Sequence, residues 1–121
     1  MSEDVFFFDT YAFFEIIRGN KDYEKYKEVM ALTSIFNIAE LSYCLRKEFD
    51  KKIADKYTDR YSLFMIDATA NDIKDAVDIK IKNKKMSMPD VVGYVLAKRL
   101  KIRFLTGDEH FRSLPNVEFI K

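Results

Sequence analysis

Four acidic side chains stand in unusual surroundings. Asp9 closes the apolar run Val5-Phe6-Phe7-Phe8, Glu40 lies in Asn37-Ile38-Ala39-Glu40-Leu41, Asp90 follows Ser87-Met88-Pro89, and Asp108 lies in Leu105-Thr106-Gly107-Asp108-Glu109-His110-Phe111. Carboxylates gathered without counter-charge repel one another, and some stay protonated unless a cation joins them. Their oxygens suit hard ions such as Mg²⁺ or Mn²⁺, which keep several waters and accept one or two phosphate oxygens from a substrate. The chemistry open to such a set is metal-assisted phosphodiester hydrolysis, in which the ion activates water and stabilises the leaving oxygen. Three of the acids also have a local use. Glu40, three residues after Asn37, completes a capping-box-like helix start. Asp90, behind Pro89 in a first turn, is favoured by the helix dipole, and Asp108 after Gly107 suits a turn or an N-cap. Asp9 is harder to place, because a carboxylate closing three phenylalanines is costly without a partner. Joint placement, not any single acid, points to the chemistry.

Such acids need a frame that brings them together. Val5–Phe8 reads as a buried strand, and Phe13, Phe14, Ile16 and Ile17 follow at helical spacing, with Gly19 as the stop. A short helix is expected over Lys21 to Met30 and a short strand over Leu32 to Ile35. Asn37 reads as the N-cap of a helix whose apolar stripe is Ile38, Leu41, Leu45 and Phe49. Residues 51–64 read as a continuing helix with Ile53, Tyr57, Tyr61 and Phe64 on one side, and Met65-Ile66 as a candidate strand. Ile73, Ala76, Val77 and Ile81 mark another helix. Ser87 or Pro89 opens the next, with Val92, Val95, Leu96 and Leu100 as its buried face. Ile102 to Leu105 and Val117 to Ile120 are the last strands. Short apolar strands alternating with amphipathic helices predict an α/β fold, a mostly parallel sheet covered on both faces. Ligands of such sheets bind beyond the carboxyl ends of the strands. Asp9 and Asp108 both follow strands, so both fall at that edge.

The remaining sequence narrows the chemistry. With 121 residues, 48% hydrophobic and 34% charged, the chain is one domain, residues 1–121, with a core large enough to need no staples. Cys44 is the sole cysteine and His110 the sole histidine, which removes internal disulfides, zinc sites and Ser-His-Asp or Cys-His catalysis unless His110 is the base. The opening Met-Ser-Glu-Asp lacks a basic start and the apolar run after it is short, so no secretory leader or membrane span is expected, and a soluble cytoplasmic protein is. The net charge of +1 conceals an asymmetry. Residues 79–103 carry eight basic side chains (Lys80, Lys82, Lys84, Lys85, Lys98, Arg99, Lys101, Arg103) against Asp90 alone, leaving +7 there and −6 elsewhere. That stretch is either a solvated helical face or a footprint for a polyanion.

In their order along the chain, Phe8-Asp9-Thr10, Asn37 to Leu41, Ser87 to Asp90 and Leu105 to Phe111 resemble the PIN domain family, and within it the small VapC-type toxins of toxin–antitoxin pairs. The resemblance implies a three-layer α/β/α sandwich and a Mg²⁺- or Mn²⁺-dependent endoribonuclease. It gives Asp9, Glu40, Asp90 and Asp108 the metal-binding and catalytic positions, and Thr106 the hydroxyl position near the metal. It further implies an RNA substrate, a homodimer and a small antitoxin partner, for which apolar surface around Phe14, Ile17 and Tyr26 would serve. Two departures bear on pocket shape: Tyr11 stands where PIN domains often have a small polar residue, and Val91 where many have alanine.

Around the acids, Tyr11 is a candidate for stacking on a base, and Lys82, Lys84 and Lys85 for holding the RNA backbone. His110 either shuttles a proton or fills an ordinary loop position before Phe111. Competing functions are a free-standing RNA-processing PIN nuclease, a non-catalytic PIN-like module, and a Mg²⁺-binding phospho-acceptor receiver. The last would use Asp67 as acceptor but lacks a late-strand lysine in Leu105-Thr106-Gly107. A phosphatase of the Asp-x-Asp type is excluded by Tyr11.

Overall fold

The computed structural model describes residues 4–121. Met1–Glu3, part of the opening on which the leader expectation rests, lies outside the described residues. Strand β1 (Val5–Phe8) runs into α1 (Thr10–Arg18), followed by a 3₁₀ helix (Lys21–Lys27) and β2 (Met30–Leu32). Helices α2 (Ile35–Glu48), α3 (Lys51–Ser62), α4 (Ala70–Lys82) and α5 (Met88–Leu100) come next. Strand β3 (Arg103–Thr106), a one-turn 3₁₀ helix (Glu109–Phe111) and β4 (Val117–Phe119) close the chain.

The strands pair in the order β2-β1-β3-β4, every pairing parallel. Phe7 lies opposite Leu32 on one side and Phe104 on the other. Because successive strand residues point to opposite faces, the apolar run of β1 feeds two cores. Phe7 joins Phe104, Val91, Val92, Leu96 and Phe111 under α4 and α5. Phe8 joins Phe13, Tyr23, Tyr26, Leu41, Leu45 and Leu105 under α1, α2 and the first 3₁₀ helix. Two cores on one sheet make the three α/β/α layers. From β1 the chain moves outward to β2, then crosses back to β3 on the other side. The switch in direction lies between β1 and β3, where ligands of open parallel sheets bind.

Local chemistry sets the helix ends. Asp9 caps α1 by accepting from the Ala12 N–H at 2.8 Å, and Gly19 (φ 84°) ends it in the left-handed region that glycine enters without strain. Gly93 in α5 is a close approach instead: a Cβ there would meet the Phe7 ring at 2.5 Å and Asn37 Oδ1 at 3.2 Å.

Several expectations are corrected. Ser34, not Asn37, caps α2; its hydroxyl accepts from the Asn37 N–H, and Asn37 sits inside the helix with no exposure. The segment after Gly19 is 3₁₀ and stops at Lys27, since Asn20 takes the Asp22 N–H and starts a tighter turn. The second strand is Met30–Leu32, while Thr33 makes only an isolated bridge with Met65, which is all that remains of the Met65-Ile66 strand. Helices α2 and α3 are separate, because Phe49 is extended and Asp50 caps anew from the Ile53 N–H. Leu100 is 37% exposed at the end of α5, and Ile53 and Phe64 are exposed as well.

Candidate active site

The site is built on β1 and β3, whose carboxyl ends stand side by side at the switch in strand order. Asp9 follows Phe8 directly, is wholly buried, and its backbone N–H donates to the Leu105 carbonyl, locking it to β3. One carboxylate oxygen, Oδ1, is committed to the cap of α1. The other, Oδ2, is buried with no hydrogen-bond partner. Thr106 is equally buried, and its Oγ1 accepts from the Asp108 N–H at 3.0 Å, folding the strand end back on itself. Asp108 then caps the one-turn 3₁₀ helix, its Oδ1 accepting from the His110 N–H. The His110 ring lies with Nδ1 2.8 Å from the same oxygen. In the tautomer that carries its proton on Nδ1, the ring donates to that oxygen.

Two helices complete the arrangement. Helix α5 carries Asp90 in its first turn, 8% exposed, with the Ser87 hydroxyl accepting from its N–H. Helix α2 carries Glu40 and Cys44 one turn apart. Glu40, Asp90 and Asp108 line one open cleft of about 530 Å³ with Thr10, Tyr11, Phe14, Cys44, Gly107, Glu109, His110 and Lys121. Asp9 lies beneath it, close enough to Asp90 for their charges to interact. Gly107 leaves room for Tyr11, since a Cβ there would collide with the Tyr11 ring and approach the Ile120 carbonyl at 2.6 Å. Lys121 reaches the cleft because Tyr23 Oη donates to the Ile120 carbonyl and the Ile120 N–H donates to Thr106, and its ammonium pairs with Glu109 at 3.3 Å.

The electrostatics are those of crowded acids. Burial pushes the Asp9 carboxyl well above its ordinary range and the neighbouring Asp90 charge pushes it further. The rise is offset in part by the Thr106 hydroxyl, which lies near without a formed hydrogen bond to Oδ2, and by the Ala12 N–H on Oδ1. Burial and then Glu40 raise Asp90 to about 7, partly offset by Ser87. Among the described residues no three His, Cys, Asp or Glu side chains are gathered tightly enough to hold a metal ion as they stand. The donor set is all-oxygen and negatively charged, the type that fits Mg²⁺ or Mn²⁺, and the partnerless Asp9 Oδ2 is an available ligand atom.

Asn37, expected only as a helix cap, and Thr10, expected only as a neighbour of Asp9, also shape the site. Asn37 is fully buried between α1, α2 and α5: its Nδ2 donates to Thr10 Oγ1 at 3.4 Å and to Asp90 Oδ1 at 3.5 Å, and its Oδ1 accepts from Ser34 Oγ at 2.8 Å. Thr10 Oγ1 in turn donates to the Asn37 carbonyl. The signal was the pair Thr33-Ser34, which offers a cap three residues earlier and frees Asn37 for the interior. With that, the capping use of Glu40 disappears.

The basic candidates separate. Lys84 and Lys85 line a small hollow with Asn83, Met86 and His110, whereas Lys82 lines another with Lys98, Tyr94, Leu114 and Pro115. Arg99 and Arg103 are engaged structurally, with Asp72 and Glu118. The expected apolar surface is also displaced: Tyr26 is only 3% exposed, and Phe14 lines the cleft. The exposed apolar side chains of α2 are Ile35, Phe36 and Tyr43 instead. Asp67 is exposed just past the Met65 bridge at the β2 margin of the sheet and does not line the cleft of Glu40, Asp90 and Asp108.

Similarity to solved structures lies at the level of fold. A toxin–antitoxin complex from Klebsiella pneumoniae contains a chain matching with a TM-score of 0.72 at 16% identity, over 93% of this chain and 94% of that one. VapBC2 from Rickettsia felis, bound to a DNA fragment from its promoter, gives 0.69 at 16% identity, over 96% and 97%. PAE2754 from Pyrobaculum aerophilum gives 0.72 at 14% identity, over 96% and 90%. No curated protein matches by sequence. The family model of the PIN domain matches residues 6–117. That span runs from β1 through β3 into β4 and includes all four acids, and so this chain belongs to the PIN domain family.

Proposed function

We propose that this chain is a metal-dependent endoribonuclease that hydrolyses RNA phosphodiester bonds, working in the cytoplasm as the toxin of a toxin–antitoxin pair. PIN domains are generally nucleases. The observation that carries the proposal is Asp9, buried beneath a cleft lined by Glu40, Asp90 and Asp108, with its Oδ2 left without a partner. Two buried carboxylates in a cleft at the switch of a parallel sheet support a functional reading of the site over a structural one.

Asp9, Glu40, Asp90 and Asp108 would hold Mg²⁺ or Mn²⁺, which when bound supplies an activated water and neutralises charge developing on the phosphate. The chain's own groups prepare that site. Thr106 and Asp108 hold the strand end in a fixed turn through the 3.0 Å bond to Thr106 Oγ1. Asn37 donates to one oxygen of Asp90, leaving the other free to face the cleft. Burial of Asp9 and Asp90 keeps bulk water from screening their charge. Tyr11, half-buried at the cleft wall, offers a ring face to a base.

Likeness to chains of toxin–antitoxin complexes favours the toxin over a free-standing RNA-processing enzyme. The exposed Ile35, Phe36 and Tyr43 of α2 supply apolar surface for a second copy or a small antitoxin. The test is cleavage of a fluorophore–quencher single-stranded RNA with Mn²⁺, with and without chelator, by the wild type and Asp9→Asn. The expected result is chelator-sensitive cleavage that falls by orders of magnitude in the variant. Equal cleavage by both proteins would overturn the proposal.

A further inference from the structure

The loop between α4 and α5 carries a cationic shelf whose position suggests its ligand. The Met86 side chain, 3% exposed, anchors the loop in the core beneath α5. The Met86 N–H donates to the Asn83 carbonyl at 3.0 Å, and Lys80 Nζ donates to the Lys84 carbonyl at 2.8 Å. The backbone is therefore held on both sides of Lys84 and Lys85, while both side chains remain exposed. Among the described residues neither lysine enters an ion pair, in contrast to Arg99 and Arg103. Two unpaired ammonium groups on a fixed loop would repel each other, and an anion relieves that repulsion.

The hollow that Lys84 and Lys85 line, about 190 Å³, shares one residue with the acidic cleft, His110. The His110 ring is fixed from the cleft side by the 2.8 Å contact of Nδ1 with Asp108. A bound chain leaving the acids over His110 thus meets the shelf next. We infer that Lys84 and Lys85, with His110 at the boundary, form a subsite for a backbone phosphate of single-stranded RNA flanking the one cleaved in the acidic cleft. The inference rests on the ribonuclease proposal and adds where its substrate runs. An acidic cleft repels a polyanion, and a cationic subsite beside it supplies the attraction that brings the strand in. Lys82 takes no part, because the hollow it lines adjoins this one at Asn83, on the side away from His110, and has the Asp78 carboxylate in its wall.

The test is fluorescence anisotropy of a labelled 12-nucleotide single-stranded RNA, in chelator so that nothing is cleaved, across 50 to 200 mM KCl. Each phosphate contact on a single strand contributes about 0.7 to the slope of log affinity against log salt. The Lys84→Gln/Lys85→Gln protein is expected to lose about 0.7 to 1.4 of that slope and roughly tenfold or more in affinity at 50 mM, with its melting temperature unchanged. Lys82→Gln is expected to match the wild type. An unchanged slope in the double variant, or an equal loss in Lys82→Gln, would overturn the subsite while Mn²⁺-dependent cleavage by the wild type still stood. A wild type that neither binds nor cleaves RNA would remove the ribonuclease proposal and the subsite together.

Discussion

Replacing Asp90 with asparagine should make the metal-free protein more stable, by an amount that depends on pH. Asp90 titrates at about 7 rather than 3.8 because it is buried and faces Glu40. Each pH unit of that difference is about 1.4 kcal/mol, so ionising Asp90 costs the fold at most about 4 kcal/mol at pH 8. A carboxyl whose pKa is raised in the folded state stabilises least at high pH. Between about 4 and 7 the unfolded chain has released its proton and the folded chain has not, so stability falls as pH rises through that window and levels off above it. Asparagine keeps the size and still accepts from Asn37 Nδ2, but it carries no charge toward Glu40, Asp108 or Asp9. Part of the 4 kcal/mol remains as the burial cost of the amide, leaving a gain of about 1 to 3 kcal/mol at pH 8. For a domain of this length that is roughly 4 to 12 °C in melting temperature. The assay is urea denaturation of both proteins in chelator at pH 8 and pH 5, with the stability of the variant relative to the wild type expected to be about 2.5 kcal/mol lower at pH 5 than at pH 8. A variant less stable than the wild type at pH 8, or a gain equal at the two pH values, would refute the electrostatic reasoning.

Other outcomes follow from the same geometry. Saturating Mn²⁺ should raise the melting temperature of the wild type and not of Asp9→Asn, because the buried Oδ2 is the ligand atom removed; an equal rise in both would place the ion elsewhere. Gly93→Ala should cost about 1 to 3 kcal/mol in urea denaturation despite the better helix propensity of alanine, since its Cβ would press on Phe7 and Asn37. Asp72→Ala should cost about 2 to 3 kcal/mol at pH 7, because Asp72 both completes the capping box of α4 and accepts two bonds from Arg99. Although burial opposes it, the Thr69 N–H and Arg99 hold the Asp72 carboxyl below its ordinary value. Its contribution is therefore present above pH 3.8 and lost only as pH falls through that depressed value, the opposite sign to Asp90, which two pH titrations of stability would separate.

The sheet and the placement of the acids were legible because they rest on one-dimensional signals. A continuous apolar run followed by an acid, Phe8-Asp9, means a buried strand end, and the same pattern recurs at Leu105 to Asp108. What stayed hidden depends on contacts between distant segments. Asn37 looks like a cap by local spacing, and only the packing of α2 against α1 and α5 gives its amide Thr10 and Asp90 as partners. Tyr26 has the polar tip of a surface aromatic, yet its hydroxyl donates to Glu118 in β4, ninety-two residues away, and the ring is buried. The lysines were a run of charge in sequence, and the turn of α4 is what sends Lys82 to one hollow and Lys84 and Lys85 to another. Tertiary placement, not composition, divided them.

The central claim, that these acids hold a divalent ion at the end of β1 and β3, is tested most directly by anomalous diffraction from crystals soaked in Mn²⁺. The account predicts a peak in the cleft within roughly 2.1 Å of Asp9 Oδ2, with oxygens of Asp90 and of Asp108 or Glu40 completing the protein's share of the ligands. A strong peak elsewhere in the molecule, with none beside Asp9 at saturating Mn²⁺, would contradict it.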